Sequence, residues 1–245
     1  MTESLWFGFK RIDFEFKGRE ATVVFPDKPN ENKNWLFKTE YFHAFPEFEA
    51  EMVKRGWHLA YIKNITRWCL DSDLDLKREF AAYLKEKFVL YEKCIPVGMS
   101  CGGLIASKLT AKYPEMVSAL YLDAPVMNLL SCPAGLGKAD YSLAGGGMMQ
   151  EMTEATGITL DKLISYRENP IDKMHLILKA NIPVIMVYGD SDIIVPYEEN
   201  GGIFEKYYRE NGGIIEVYGK EGCGHHPHGL SDHSPLIEFA EKYAL

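Results

Sequence analysis

Lys93-Cys94-Ile95-Pro96-Val97-Gly98-Met99-Ser100-Cys101-Gly102-Gly103 is the stretch on which the fold of this chain turns. A short apolar run enters Gly98-Met99-Ser100-Cys101-Gly102, and a helix-like segment with alanine, leucine and lysine leaves it. Gly-x-Ser-x-Gly between a strand and a helix predicts a sharp turn with the serine at its tip. Such a turn holds the serine at positive φ. The flanking glycines omit the Cβ atoms that would collide where strand and helix cross. The strain lifts the Ser100 hydroxyl clear of the sheet and aims the Cys101 N–H at the point where negative charge would form. The competing reading is a glycine-rich turn carrying an idle serine, so the remainder of the chain has to decide.

The 245 residues suffice for one large α/β domain with a full core. An apolar share of 47% and a charged share of 25% are those of an ordinary soluble globular chain. The net charge of −8 argues against nucleic acid or anionic membrane as the main partner, because both need a basic face. No apolar run approaches the roughly 18 residues that a membrane span requires. Met1-Thr2-Glu3-Ser4 offers neither the basic start nor the apolar stretch of a secretory signal. Cys69, Cys94, Cys101, Cys132 and Cys223 are odd in number and lack framework spacing, which fits reduced thiols. The expected localisation is cytoplasmic.

Trp6 to Lys17 reads as one or two strands, with Ile12, Phe14 and Phe16 alternating against polar residues. Lys17-Gly18 reads as a hairpin turn and Ala21 to Phe25 as the next strand. Asp27 to Lys33 is a polar loop. Tyr41 to Arg55 carries a helical pattern that Pro46 divides, and Trp57 to Ile62 is a strand. Asp71 to Val89 is a long helix. Its Asp71, Asp73 and Asp75 look like the start of a calcium loop, but Leu76 and Ala82 stand where such a loop needs glycine and glutamate. After the Ser100 turn come a helix to about Lys112 and a strand from Val117 to Leu122. Strands alternating with helices predict a mostly parallel sheet covered on both faces.

Between Asp123 and about Asn169 the alternation lapses. Pro133, Gly135, Gly137 and Gly145-Gly146-Gly147 interrupt it, and Met148, Met149 and Met152 follow. About 45 residues are too many for a plain connection, so a cap or lid insertion over about 124–169 is expected. A structural excursion that merely covers the sheet is the alternative. Regularity returns with a helix at Ile171 to Lys179, a strand at Ile182 to Tyr188, a helix at Tyr197 to Asn211 and a strand at Ile214 to Tyr218. A last helix runs from Pro235 to about Tyr243.

A serine hydroxyl is a weak nucleophile at neutral pH. It needs a base within hydrogen-bond reach, and the base needs a partner that fixes its tautomer. Tyr188-Gly189-Asp190-Ser191-Asp192-Ile193-Ile194-Val195-Pro196 follows one apolar strand, and Gly222-Cys223-Gly224-His225-His226-Pro227-His228-Gly229-Leu230 follows the last. Loops at the carboxyl ends of parallel strands share one sheet edge, the edge that carries Ser100. With Ser, Asp and His in that chain order, the sequence resembles an α/β-hydrolase over nearly its whole length. The resemblance implies a single domain over 1–245, with a sheet of about eight strands flanked by helices. It implies Ser100 as nucleophile, His225 as general base and Asp192 as the acid. Val195-Pro196-Tyr197-Glu198-Glu199-Asn200 and His225 to Leu230 also resemble a bacterial subgroup whose substrates are mostly unassigned.

Each assignment has a rival. Asp190 competes with Asp192 but suits a turn role. Asp123, after the strand that follows the elbow helix, is a third candidate acid. Closely spaced imidazoles at His226 and His228 raise a metal reading. No cysteine or carboxylate cluster with ligand spacing accompanies them, so no metal is expected and His226 is read as lining the substrate pocket. His43, His58, His175 and His233 are read as ordinary. Many α/β-hydrolases carry His-Gly after the strand that ends here near Pro26, where an N–H completes the oxyanion hole. This chain has none, so the second donor is sought in Asp27 to Lys38, near Asn34 or Trp35, beside the Cys101 N–H. Leu129, Leu130, Tyr141, Met148 and Met149 of the insertion are expected to shape substrate fit. The expectation is a cofactor-independent serine hydrolase acting on a small-molecule carboxylic ester. A peptidase, an acyltransferase and a non-catalytic binding protein on the same scaffold are the alternatives.

Overall fold

A computed structural model of the chain describes residues 1–140, 142 and 146–244. Tyr141 and Gly145 lie outside the described residues. The strands are β1 (Thr2–Trp6), β2 (Phe9–Phe16), β3 (Arg19–Phe25), β4 (Trp35–Lys38), β5 (His58–Ile62), β6 (Ile95–Met99), β7 (Leu120–Asp123), β8 (Val184–Gly189) and β9 (Ile215–Lys220). They form one sheet of order β1-β2-β3-β5-β4-β6-β7-β8-β9. The first three and β5 pair antiparallel; every pairing from β5 to β9 is parallel. β9 is an edge strand, hydrogen-bonded among the described strands only to β8.

The helices are α1 (Glu47–Lys54), α2 (Asp71–Phe88), α3 (Cys101–Lys112), α4 (Gly146–Thr156), α5 (Leu160–Ser165), α6 (Pro170–Lys179), α7 (Gly201–Glu210) and α8 (Ser234–Lys242). Strand side chains alternate between two cores, as a period of two requires. Leu120, Leu122, Val184 and Met186 enter the core beneath α2, α3, α6 and α7. Tyr121, Ile185 and Val187 enter the opposite core, with Phe48, Met52 and Val53 of α1 and Leu236 and Phe239 of α8. No helix among the described residues is long and apolar enough to cross a membrane.

Three elements depart from the sequence reading. The sheet formed by the described residues has nine strands because Thr2–Trp6 makes a strand of its own ahead of Phe9–Phe16, with the chain turning at Phe7 and Gly8, and because β4 is a strand. β4 is four residues long and buried throughout, so neither alternation nor length marks it in the sequence. The helix expected from Tyr41 begins only at Glu47, behind Pro46. Proline disfavours the helical region for the residue before it. Phe45 takes φ +45° and Tyr41 φ +53°, leaving 41–46 as a folded loop.

β4 leads through α1 to β5 on one side, and β6 leads through α3 to β7 on the other. The chain therefore reverses its direction of travel between β4 and β6. The carboxyl ends of strands at such a reversal are where an open α/β sheet leaves a crevice.

Candidate active site

Ser100 sits in that crevice, between β6 and α3, at φ +53° and ψ −120°. The glycines permit this. A Cβ on Gly98 would lie 2.5 Å from the Gly102 carbonyl oxygen and 2.7 Å from the Ala106 Cβ; one on Gly103 would lie 2.4 Å from the Pro125 Cβ. The bend is held on both sides. The Ser100 N–H donates to the Asp123 carbonyl at 3.0 Å, and the Val126 N–H donates to the Ser100 carbonyl at 3.0 Å.

His225, on the loop after β9, places Nε2 3.0 Å from Ser100 Oγ and Nδ1 2.7 Å from Asp192 Oδ2. An ionised carboxylate only accepts, so Nδ1 carries the proton and Nε2 presents its lone pair to the serine hydroxyl. Asp192 Oδ1 accepts the N–H groups of Ile194 and Val195, both at 2.9 Å, which fixes the carboxylate. Asp190 turns away and accepts the Gly222 N–H at 2.8 Å and the Ser191 hydroxyl at 2.9 Å. Asp123 is buried and holds a different imidazole. Its Oδ1 accepts His228 Nδ1–H at 2.7 Å, and its Oδ2 accepts the Gly229 N–H at 2.6 Å. Two aspartate–histidine pairs thus stand side by side, with the His225 and His228 rings 5.1 Å apart.

The cavity over Ser100 has a volume of about 380 Å³. Phe45, Ile194, Val195 and Met148 give it apolar walls, while Arg67, His226 and His228 add polar ones. His226 is exposed and stacks on Phe45, ring centroids 5.6 Å apart. Partial burial, then the neighbouring imidazoles, hold its pKa below the usual histidine value. Cys101 has its amide at the head of α3, where the first-turn N–H groups have no acceptor within the helix. Its thiol is buried, and burial pushes its pKa up to about 11, so it is a packing group rather than a thiolate.

Two expected residues fall elsewhere. Trp35 opens β4, and the β4–β6 register sets it level with Cys94, six residues before Ser100. At strand rise that is about 20 Å, so its N–H is at the wrong end of the sheet for the oxyanion. Its indole is buried and donates to the Tyr91 carbonyl at 2.9 Å. Met148 and Met149 both pack against the core, but only Met148 also lines the cavity, since neighbours on a helix point about 100° apart.

Sequence reasoning missed Tyr41 and Arg67, both on the cavity wall. Tyr41 is the third residue after β4, the strand beside the elbow strand. Arg67 follows β5; its Nε donates to Glu151 Oε1 of α4 at 3.0 Å, and a second nitrogen to Oε2. Burial is the largest single influence and works against that charge, but the Glu151 bonds together with the Tyr41 and Cys101 side chains raise the guanidinium pKa on balance. No motif marks either residue. Beneath the elbow, Lys38 and Glu49 form an ion pair buried to 1% exposure on both sides. Lys38 Nζ also donates to the Ala44 carbonyl at 3.3 Å and touches Met99 Sδ at 3.3 Å, tying the 41–46 loop to β6.

No protein-family model matches the chain, and no curated protein sequence matches it. Solved structures do. An acylaminoacyl peptidase from Pyrococcus horikoshii superposes with a TM-score of 0.71 at 13% identity, over 96% of this chain and 42% of that one. A candidate dipeptidyl aminopeptidase IV from Bacteroides ovatus gives 0.67 at 13% identity, over 96% of this chain and 35% of that one. An S-formylglutathione hydrolase from Agrobacterium tumefaciens gives 0.65 at 14% identity, over all of this chain and 97% of that one. The chain thus spans less than half of the two peptidase chains and nearly the whole of the third. At these identities the likeness speaks for architecture, and the chain has the α/β-hydrolase fold.

Proposed function

We propose that the protein is a serine hydrolase that cleaves carboxylic esters of small molecules through an acyl-enzyme. The observation that carries this is the unbroken chain of hydrogen bonds from Ser100 Oγ through His225 to Asp192. In the first half-reaction Ser100 Oγ attacks the acyl carbon while His225 Nε2 takes its proton. Asp192 keeps the imidazole in its tautomer and stabilises the imidazolium. His225 then gives the proton to the departing alkoxide. In the second half-reaction water, deprotonated by His225, attacks the acyl-serine and releases the acid.

The tetrahedral oxyanion forms beside the Cys101 N–H. We assign the second donor to the Tyr41 N–H. Its support is its place on the cavity wall and the positive φ that turns the backbone there. That N–H has Glu40 Oε1 at 3.2 Å, a contact an incoming oxyanion would replace. We read the 124–169 stretch as a cap, because Met148 of α4 contributes to the cavity wall. The five unpaired cysteines fit a reducing compartment such as the cytoplasm.

A peptidase reading is kept because two of the similar structures are named as peptidases. A fluorophosphonate probe, p-nitrophenyl esters, sugar acetates and peptide anilides test the proposal together. Labelling lost in Ser100→Ala, with turnover of esters over anilides, is expected. An unlabelled and inactive native protein would overturn it; preferred anilide cleavage would move the reading to a peptidase.

A further inference from the structure

His228 is not needed to activate Ser100, yet it is built like a working imidazole. It is buried, and Asp123, itself buried, holds its Nδ1–H at 2.7 Å. That leaves the Nε2 lone pair free on a ring that lines the cavity. His225 is presented in the same way by Asp192. His226 adds a third ring, 4.8 Å from His225 and 4.9 Å from His228 between centroids. One ring nitrogen from each of the three lies within 4.8 Å of the others.

We propose that His225, His226 and His228 bind one Zn²⁺ ion, and that the bound ion switches the hydrolase off. Three imidazoles with an open fourth position form a known type of zinc donor set, with Zn–N distances of about 2.0–2.1 Å. Tetrahedral geometry then needs donor atoms about 3.3 Å apart. Exposed His226 supplies the required closing movement by turning its side chain. A carboxylate on the far nitrogen of a ligating histidine fixes its tautomer and raises its basicity. Two of the three rings already have such a carboxylate. The ion would take the His225 Nε2 lone pair, so Ser100 Oγ–H would lose its acceptor while no covalent bond breaks. The binding half of the proposal stands without the hydrolase reading; the inhibitory half rests on it.

Cys223, whose Sγ lies 3.6 Å from the His226 carbonyl, is a competing zinc ligand, so Cys223→Ser is the control. Calorimetric titration of the protein with ZnCl₂ is expected to give one saturable site, unchanged in Cys223→Ser. His226→Ala, at an exposed position, should weaken it at least about ten-fold, and Asp123→Asn about 10–100-fold. Failure to saturate, equal affinity in His226→Ala, or loss in Cys223→Ser would each overturn the site. Fluorophosphonate labelling of Ser100 should fall with the same Zn²⁺ dependence and return on adding EDTA. Zinc binding with undiminished labelling would overturn the inhibition. A native protein that never labels would sink the hydrolase reading instead, and calorimetry would still judge the site.

Discussion

Arg67 forks onto Glu151, with Nε 3.0 Å from Oε1 and a second guanidinium nitrogen on Oε2. The pair joins the loop after β5 to α4 and neutralises a cation on the cavity wall. Glu151→Gln is therefore expected to free that charge for the substrate. An unneutralised guanidinium strengthens its contact to a carboxylate by about 1 kcal/mol, roughly five-fold in affinity. The ratio of kcat/KM for carboxylate-bearing esters over neutral esters should rise by that factor. Both side chains are partly exposed, so stability should move by less than about 1 kcal/mol. An unchanged ratio would remove Arg67 from substrate recognition.

Two aspartates hold two histidines here, and only one pair reaches the serine. Asp192→Asn should lower kcat by about 10⁴, because the amide permits the wrong tautomer of His225. Asp123→Asn should cost less than about ten-fold in kcat. Its effect is on stability, about 1–3 kcal/mol, from buried partners left imperfectly matched. Comparable kcat losses in the two variants would show that the second pair takes part in the chemistry.

Lys38→Met leaves the buried Glu49 carboxyl without its partner under the elbow. A loss of about 3–5 kcal/mol is expected, read as a lower urea midpoint at unchanged slope. Lys38→Met with Glu49→Leu should recover most of it, because the cost lies in the orphaned buried carboxyl. A double variant as weak as the single one would locate the loss in packing instead.

His58 is buried, and burial pushes its pKa down from 6.5 to about 4. Below pH 6.5 the unfolded chain takes up a proton that the folded protein refuses until about pH 4. The unfolded state binds more protons in that window, so stability is lost as pH falls through it. From pH 7 to pH 4.5 this one group accounts for about 2 kcal/mol. His58→Phe should reduce the acid-induced drop in unfolding free energy by that amount. An equal drop in both proteins would assign it to carboxylates alone.

Much of this was legible in the sequence where a residue's own chemistry dictates its surroundings. Gly98 and Gly103 mark the elbow because no side chain fits there. Asp192 and His225 stand out because turn residues after apolar strands must sit at one sheet edge. β4 was hidden because a four-residue strand buried on both faces has no polar alternation to show. Trp35 opens β4, whereas Tyr41, the second donor proposed above, lies beyond the strand's other end, and without the strand in view the sequence does not tell those ends apart. Arg67 was hidden because its meaning comes from Glu151, 84 residues away. The Asp123–His228 pair spans 105 residues, which no local pattern encodes.

The histidine hydrogen-bonded to Ser100 lies on the loop after β9, a strand with a neighbour on one side only among the described residues. Edge strands fray at a smaller energetic cost than the sheet's interior. Fraying there would swing His225 off Ser100 while β4, β6 and β7 stayed locked together. Inactivation should thus run ahead of denaturation: in rising urea, turnover should fade while far-ultraviolet circular dichroism still reports an intact protein.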